Sequence, residues 1–239
     1  HGSLDFNESH FKSLKQKLSS FNELSITLCV PYPYLFQAQK ILRSSNIHWG
    51  CQNVAKELEG PFTGEVSASM IKDFQCELVI IGHSERNTAY CESDENIAEK
   101  FNMIKKNNMT PLLCVGENLI EREAGIMEKV VSEQIKTILD LYGQDIFKGS
   151  IIAYEPIWAI GSDSAASPEQ IEKMCEFIKQ LIYSNVTDND DVNIVYGGSV
   201  NAKNAVQLCE IKGVDGILMG RASLDANEFY EICNSVHKI

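Results

Sequence analysis

Short apolar runs alternate with longer amphipathic segments along the whole chain. Each run is bounded by polar residues or glycine, and runs of this length are typical of parallel strands that are buried on both faces. The pattern predicts seven strands, at residues 25–30, 47–50, 78–81, 111–115, 151–154, 193–196 and 216–219. Such a strand–helix alternation favours an α/β fold with a parallel sheet.

Helix signals fill the segments between the predicted strands. Ser93 is an N-cap candidate for a helix at 93–107, and Ser167-Pro168-Glu169 has proline at the first helical position. A further helix at 5–18 precedes the first predicted strand. The total is eight helices and seven strands, one strand fewer than a closed (β/α)8 barrel contains. No linker or repeat divides the chain, so we expect a single α/β barrel domain over residues 1–239.

Composition narrows the possible partners. The chain is 44% hydrophobic, enough for a substantial core, and carries a formal net charge of −12. This acidic balance argues against binding to nucleic acid or to an anionic membrane. No apolar run approaches the ~20 residues of a membrane span, and no signal peptide opens the sequence. Any anionic substrate must therefore be attracted locally, by helix N-termini and individual cations.

Eight cysteines are scattered along the chain, without a C-x-x-C pair or the spacing of a zinc site. In a chain of this length the pattern indicates reduced thiols and a cytoplasmic location. The histidines are dispersed, and His1, His10 and His237 lie near the ends. We therefore expect no metal site.

Glu155 directly follows the predicted strand at 151–154, and an apolar loop with Trp158 and Gly161 follows it. Pro156 cannot donate to a strand ladder, so the strand ends here. A carboxylate beside a loop that can close over it suits a general base, because excluding water raises its basicity. The alternative is a salt-bridged glutamate that merely ends a strand.

Three further strand ends carry polar or glycine-rich segments. His83 follows the strand at 78–81 and is a candidate for proton chemistry near neutral pH, although a lone histidine is more often structural. Gly197-Gly198-Ser199 and Gly220-Arg221 follow the last two predicted strands, and glycines there let backbone amides approach a ligand. Four such strand ends together favour a functional site.

Several motifs are together similar to those of the triosephosphate isomerase family. They occur in the family order over nearly the whole chain, and the motif around Glu155 is highly specific. The matching segments are Cys51-Gln52-Asn53, GPFTGEVS at 60–67, Gly82-His83-Ser84-Glu85-Arg86, Cys114-Val115-Gly116-Glu117, Tyr154-Glu155-Pro156-Ile157-Trp158-Ala159-Ile160-Gly161 and Tyr196-Gly197-Gly198-Ser199-Val200.

The resemblance implies an isomerase of glycolysis and gluconeogenesis that interconverts glyceraldehyde 3-phosphate and dihydroxyacetone phosphate through an enediolate. This family is a standard example of pKa tuning. The roles of Glu155, His83 and Glu85 given next are those that the resemblance implies. Glu155 moves the proton between neighbouring carbons. His83 hydrogen-bonds the carbonyl oxygen as a neutral imidazole, which a helix starting near Ser84 would favour. Glu85 supports the site by positioning polar groups.

The resemblance also implies how the substrate is held. A mobile loop at 156–166 closes over it and keeps water out. No cofactor is needed, because the same base removes and returns the proton. The substrate phosphate is bound by the backbone amides of Gly161, Ser199, Gly220 and Arg221.

An oligomer is implied by the long connection that contains residues 60–65. In the family this loop inserts into a neighbouring subunit, so the resemblance implies a homodimer. From the residues alone, a local Ω-loop is the simpler interpretation.

Three departures from the family pattern concern the site. The family's first strand ends in Asn-x-Lys, and the resemblance places that strand ahead of His1, so neither residue is in the sequence. Asp163 replaces a glycine near the loop tip, from which we expect weaker ligand binding or altered loop closure. Arg221 stands where a second glycine is usual.

Two alternatives to the isomerase remain at this point. If the first strand is truly absent, the chain could be a catalytically impaired phosphate-binding homologue, although Glu155 and His83 are both intact. A different barrel enzyme acting on a sugar phosphate is the other alternative. No predicted strand ends in the lysine that a Schiff-base aldolase needs, and no ligand cluster suits a metal-dependent epimerase.

Overall fold

The computed structural model describes residues 1–162, 165–183 and 192–238. Its strands lie in chain order in one seven-stranded sheet, and every neighbouring pair is parallel. Each predicted strand is confirmed, with small shifts at the ends. The strands are β1 (Ile26–Val30), β2 (Ile47–Cys51), β3 (Leu78–Ile81), β4 (Thr110–Val115), β5 (Ser150–Tyr154), β6 (Val192–Tyr196) and β7 (Gly216–Ile217).

Helices occupy the connections between strands. Those in the described residues are α1 (Leu4–Lys17), α2 (Leu35–Leu42), α3 (Ala68–Asp73), α4 (Ser84–Tyr90), α5 (Asp94–Lys106), α6 (Leu119–Glu123), α7 (Met127–Tyr142), α8 (Pro168–Tyr183), α9 (Ala205–Cys209) and α10 (Ala226–Val236). The described part of the chain thus holds ten α-helices, and the predicted total of eight was wrong. The difference arises because α4 and α6 are short helices placed directly ahead of α5 and α7.

Local capping chemistry sets several helix starts as the sequence predicts. Ser93 caps α5, its hydroxyl accepting from the Asn96 amide at 3.3 Å. Pro168 is the first residue of α8, and the Ser167 side chain accepts from the Gln170 amide at 3.3 Å. These bonds satisfy amide groups that lack partners within the first helical turn.

The sheet curls around an inner cluster of side chains. Buried Leu78, Leu112 and Ala153 form part of this cluster, and both Cys29 of β1 and Leu218, just after β7, pack against it. Side chains from the two edges of the sheet therefore meet in one core. This is the packing expected of a TIM barrel interior, with the helices on the outside.

The edge strand β1 is less buried than the central strands. Its burial alternates, with Thr27 and Cys29 only half-buried, whereas residues 111–115 of β4 are all buried. In the described residues β1 pairs only with β2, and β7 only with β6, which leaves their inner faces less covered. Burial on both faces is thus confirmed for central strands such as β4 but not for β1.

On the outside of the sheet, α1 packs against both α2 and α10. The first and last helices are thereby brought side by side, as in a closed ring. Among the described residues, every helix falls short of the length and apolar character that a membrane crossing requires.

Candidate active site

The parallel sheet brings all the predicted site residues to one end of the barrel, where the strands have their carboxyl ends. Glu155 directly follows β5, His83 lies two residues beyond β3, Ser199 follows β6, and Gly220 and Arg221 follow β7. Since the carboxyl ends of parallel strands all lie at the same end of a barrel, the segments that follow them converge there. The described site residues lie at this carboxyl end.

Glu155 is a buried carboxylate, only 6% exposed. Its Oε1 lies 3.6 Å from Nε2 of His83. Its Oε2 is buried and has no hydrogen-bond partner among the described residues. Burial raises the pKa of Glu155, while nearby His83 and a hydrogen bond from the Cys114 thiol oppose that rise. The carboxylate is therefore more basic than an ordinary glutamate, and its Oε2 remains able to accept a proton.

Two glycines allow the backbone to close around Glu155. A Cβ on Gly116 would lie 1.9 Å from the Glu155 carbonyl oxygen, so a side chain there would force the ends of β4 and β5 apart. A Cβ on Gly197 would lie 2.8 Å from Glu155 Oε1 and displace the carboxylate itself. Glycine is thus required at both positions by close approach to the base.

His83 is held at the start of α4 by a hydrogen bond to its ring. Its Nδ1 accepts a hydrogen bond from the Glu85 amide at 3.3 Å. In this arrangement Nδ1 acts as an acceptor, which leaves Nε2 as the ring nitrogen that can carry a proton. Nε2 faces the Glu155 carboxylate. The helix start expected near Ser84 is confirmed.

The Glu85 side chain lies at the periphery of this pair. Its carboxylate is 83% exposed, and its Oε2 is 3.9 Å from His83 Nδ1, beyond hydrogen-bonding distance. In this arrangement the closest contact between Glu85 and the imidazole is through the backbone amide.

A buried glutamate that sequence reasoning did not assign holds the start of the loop after Glu155. Glu117 is fully buried and accepts from Trp158 Nε1 at 2.9 Å. The Tyr154 hydroxyl lies 3.3 Å from both of its oxygens, and Arg122 Nη1 is 3.5 Å away. Its place in the Cys114-Val115-Gly116-Glu117 motif was the available signal, but its partners are distant in sequence.

The far end of this loop is tied to β6. The Tyr196 hydroxyl accepts from the Ala166 amide at 3.0 Å, and burial raises the pKa of Tyr196 to about 12. The Ser199 Oγ lies 2.7 Å from the carbonyl oxygen of Ala159 and 2.6 Å from that of Ser162, and its single proton can be donated to either of them. These bonds hold the described parts of the loop over the end of the barrel.

The Ser199 bonds also stabilise an unusual backbone conformation. Ser199 has a φ of 47°, in the left-handed region that costs a residue with a side chain about 1 kcal/mol or more. The Ser199 contacts place the segment after β6 against the loop that contains Gly161. Two of the three segments that carry the predicted phosphate-binding residues are thereby brought together. Asp163 lies outside the described residues.

Gln134 of α7 holds the end of β4 beside the base. Its side chain accepts from the Gly116 amide at 3.0 Å and donates to the Gly116 carbonyl at 3.2 Å. A cavity of about 20 Å³ borders Gln134, Asn87, Cys114 and Glu155. Sequence reasoning assigned no role to Gln134 or Cys114, because their proximity to Glu155 depends on the packing of β4, β5 and α7.

Comparisons with known proteins agree on one family. The family model for triosephosphate isomerase matches residues 1–236. The chain is 43% identical over 234 residues to the triosephosphate isomerase of Nitrosomonas eutropha, covering 98% of this chain and 93% of that protein. It is 44% identical over 239 residues to that of Thiobacillus denitrificans, covering 100% of this chain and 95% of that protein.

The raised pKa of Glu155 predicts that this residue destabilises the fold at neutral pH. At low pH the carboxyl is protonated in both the native and the unfolded chain. As the pH rises, the unfolded carboxyl ionises first, and stability is lost until the native carboxyl has also ionised. Glu155→Gln should therefore raise the free energy of unfolding at neutral pH by roughly 0.5–2 kcal/mol, a gain typical of replacing a strained functional group.

Urea unfolding midpoints measured across pH would check this. The gain should shrink as the pH falls below the ordinary glutamate range. Glu85→Gln, the same change at an exposed position, is the control and should show little effect. A Glu155→Gln protein that is less stable at neutral pH would contradict the pKa direction.

Proposed function

Since the chain belongs to the triosephosphate isomerase family, we propose that its isomerase reaction takes place between Glu155 and His83. The reaction interconverts glyceraldehyde 3-phosphate and dihydroxyacetone phosphate, a step of glycolysis and gluconeogenesis. The observation that carries the proposal is the pairing of a buried carboxylate with Nε2 of His83, 3.6 Å apart, in an imidazole whose Nδ1 accepts the Glu85 amide.

Glu155 acts as the base. It removes a proton from the carbon beside the substrate carbonyl, leaving an enediolate, and returns that proton to the neighbouring carbon. Burial favours both halves of this cycle, because it raises the basicity of the carboxylate and makes the protonated form easier to hold. No net proton is gained or lost, so the cycle needs no cofactor.

His83 stabilises the oxygen that becomes negative. Its Nε2–H donates to the carbonyl oxygen, and the bond strengthens as charge develops there. The Glu85 amide fixes the imidazole by occupying Nδ1, and we propose that the Glu85 carboxylate helps to position the polar groups around it. Its exposure is consistent with a smaller contribution than that of Glu155.

The phosphate group is assigned to the backbone amides of Gly161, Ser199, Gly220 and Arg221. The Ser199 contacts to Ala159 and Ser162 support this assignment, because they place Ser199 beside the turn at Gly161. The hydrogen bonds to Glu117 and Tyr196 support a closed loop that would shield the enediolate from water.

We also propose a homodimer in the cytoplasm, with no nucleic-acid partner. All eight cysteines are free thiols, which suits a reducing compartment. The net charge of −12 disfavours nucleic acid. In the connection after β2, Leu58 and Phe62 are 47% and 43% exposed, and such side chains suit burial by a neighbouring subunit.

Glu155→Gln should abolish isomerisation, because the amide cannot accept the substrate proton. We expect kcat to fall by about 10³-fold or more, within the range attributed to a general base. Interconversion of the two triose phosphates by the purified chain is the measurement. Glu172→Gln, which removes an equal charge from an exposed part of α8, should retain full activity. Near-normal turnover by Glu155→Gln would contradict the assignment of the base.

His83→Gln should separate catalysis from binding. We expect a loss in kcat of roughly 10²-fold to 10³-fold, as for removal of a donor that stabilises an oxyanion. The affinity for glycerol 3-phosphate, an unreactive analogue, should change much less. Parallel turnover assays and calorimetric titrations would test this. Small and equal losses in both would make His83 a structural residue.

The homodimer predicts a mass in solution of twice the 26.7 kDa of one chain. Size-exclusion chromatography with light scattering would measure it. Phe62→Lys should shift the population toward monomer, because it places a charge in the proposed interface. A wild-type monomer at working concentration would leave the loop as a local Ω-loop.

A further inference from the structure

Arg221 places a guanidinium beside the turn at Gly161. It is the first residue of the 3₁₀ helix Arg221–Leu224, which directly follows Gly220. A Cβ added to Gly161 would lie 3.9 Å from Nη2 of Arg221. The side chain therefore reaches from the end of β7 toward the loop that follows β5, instead of extending away from the site.

Two other arginines at this end of the barrel are paired with carboxylates. Arg86 Nη2 lies 2.7 Å from Glu92, and Arg122 Nη1 lies 3.5 Å from Glu117. Within the part of the chain that the structure describes, Arg221 is exposed and its side chain has neither an ion pair nor a hydrogen bond. Its positive charge is thus available to a ligand.

We propose that the guanidinium of Arg221 binds the substrate phosphate directly, in addition to the backbone amides around it. The inference rests on the proposed function, since it takes the Gly161 turn as part of the phosphate site. It assigns to the Arg221 side chain a role that the usual glycine at this position could not have.

The chemistry of the ligand favours this role. A phosphate ester carries close to two negative charges at neutral pH, and a planar guanidinium can donate two parallel N–H groups to its oxygens. The Ser199 hydroxyl already donates within the loop, so Ser199 has only its amide to donate to a ligand. A free guanidinium nearby would add the positive charge that backbone amides lack.

The electrostatics of the whole chain point the same way. With a net charge of −12, the protein as a whole repels a dianionic substrate, and only a local positive group can offset this. Because Arg221 is exposed, its contribution should be screened by salt. The proposed contact therefore has an ionic-strength signature that a purely steric role would not show.

Calorimetric titration of the full chain with glycerol 3-phosphate, at low and at physiological ionic strength, tests the proposal. Arg221→Gln removes the positive charge, whereas Arg221→Lys keeps the charge but lacks the planar guanidinium with its two parallel N–H donors. The matched control is Arg43→Gln, since Arg43 is an exposed arginine just after α2, at the opposite end of the barrel. Thermal melting of each variant shows whether the fold is intact.

We expect Arg221→Gln to weaken binding about fivefold at low ionic strength, as for one exposed ion pair. The difference in affinity between Arg221→Gln and the wild type should narrow as salt is added. Arg221→Lys should recover much of the affinity, and Arg43→Gln should bind like the wild type. Unchanged affinity in Arg221→Gln would overturn the proposal. Equal weakening in the glutamine and lysine variants, with lower melting temperatures and no salt dependence, would make Arg221 a structural support.

Binding is measured without turnover, so the two proposals can fail separately. Arg221-dependent binding by a chain whose activity survives Glu155→Gln would refute the catalytic assignment and leave the phosphate contact standing. Normal binding by Arg221→Gln, in a protein whose activity depends on Glu155, would refute only the role of Arg221.

Discussion

The site depends on the burial of one carboxylate at the meeting point of three strand ends. Glu155 follows β5, Gly116 at the end of β4 packs against its carbonyl, and Gly197 after β6 lies against its carboxylate. A carboxylate kept away from water costs stability, and the same desolvation gives it the basicity that proton abstraction requires. The surrounding barrel supplies the rigidity that keeps this group in place.

The neighbours of the base also control the loop that covers it. Glu117, three residues after Cys114, binds the start of the loop through Trp158, and Tyr196 of β6 binds its end through Ala166. Residues that contact Glu155 and residues that hold the loop are thus neighbours along the same strand ends. A change in the packing of β4 or β6 would therefore affect both the basicity of Glu155 and the position of the loop.

Much of the architecture could be predicted from the sequence, because it is encoded locally. Short apolar runs indicate the strands, Ser93 and Pro168 mark helix starts, and the position of Glu155 and His83 after strands is visible in the sequence itself. Family motifs add the chemistry of these residues. The short helices α4 and α6 were not predicted, because the alternation of apolar runs and amphipathic segments indicates only one helical segment per connection.

The remaining features depend on contacts between distant parts of the chain. Glu117 gains its role from Tyr154 and Trp158, and Gln134 from Gly116, none of which spacing reveals. The direction of the Arg221 side chain toward Gly161 is likewise set by how β5 and β7 are brought together. Such contacts can be identified only in the folded barrel, whereas the positions of the strand ends can be predicted from the sequence.

The burial of Glu155 has a consequence for the fate of hydrogen isotopes. In the proposed mechanism, a proton taken from the substrate resides on a carboxyl group that is only 6% exposed, beneath a loop held at both ends. Exchange with water must then compete with return of the proton to the substrate. Part of a deuterium label at the abstracted position should therefore survive in the product, and the surviving fraction would report how long the covered carboxyl stays apart from solvent during each cycle.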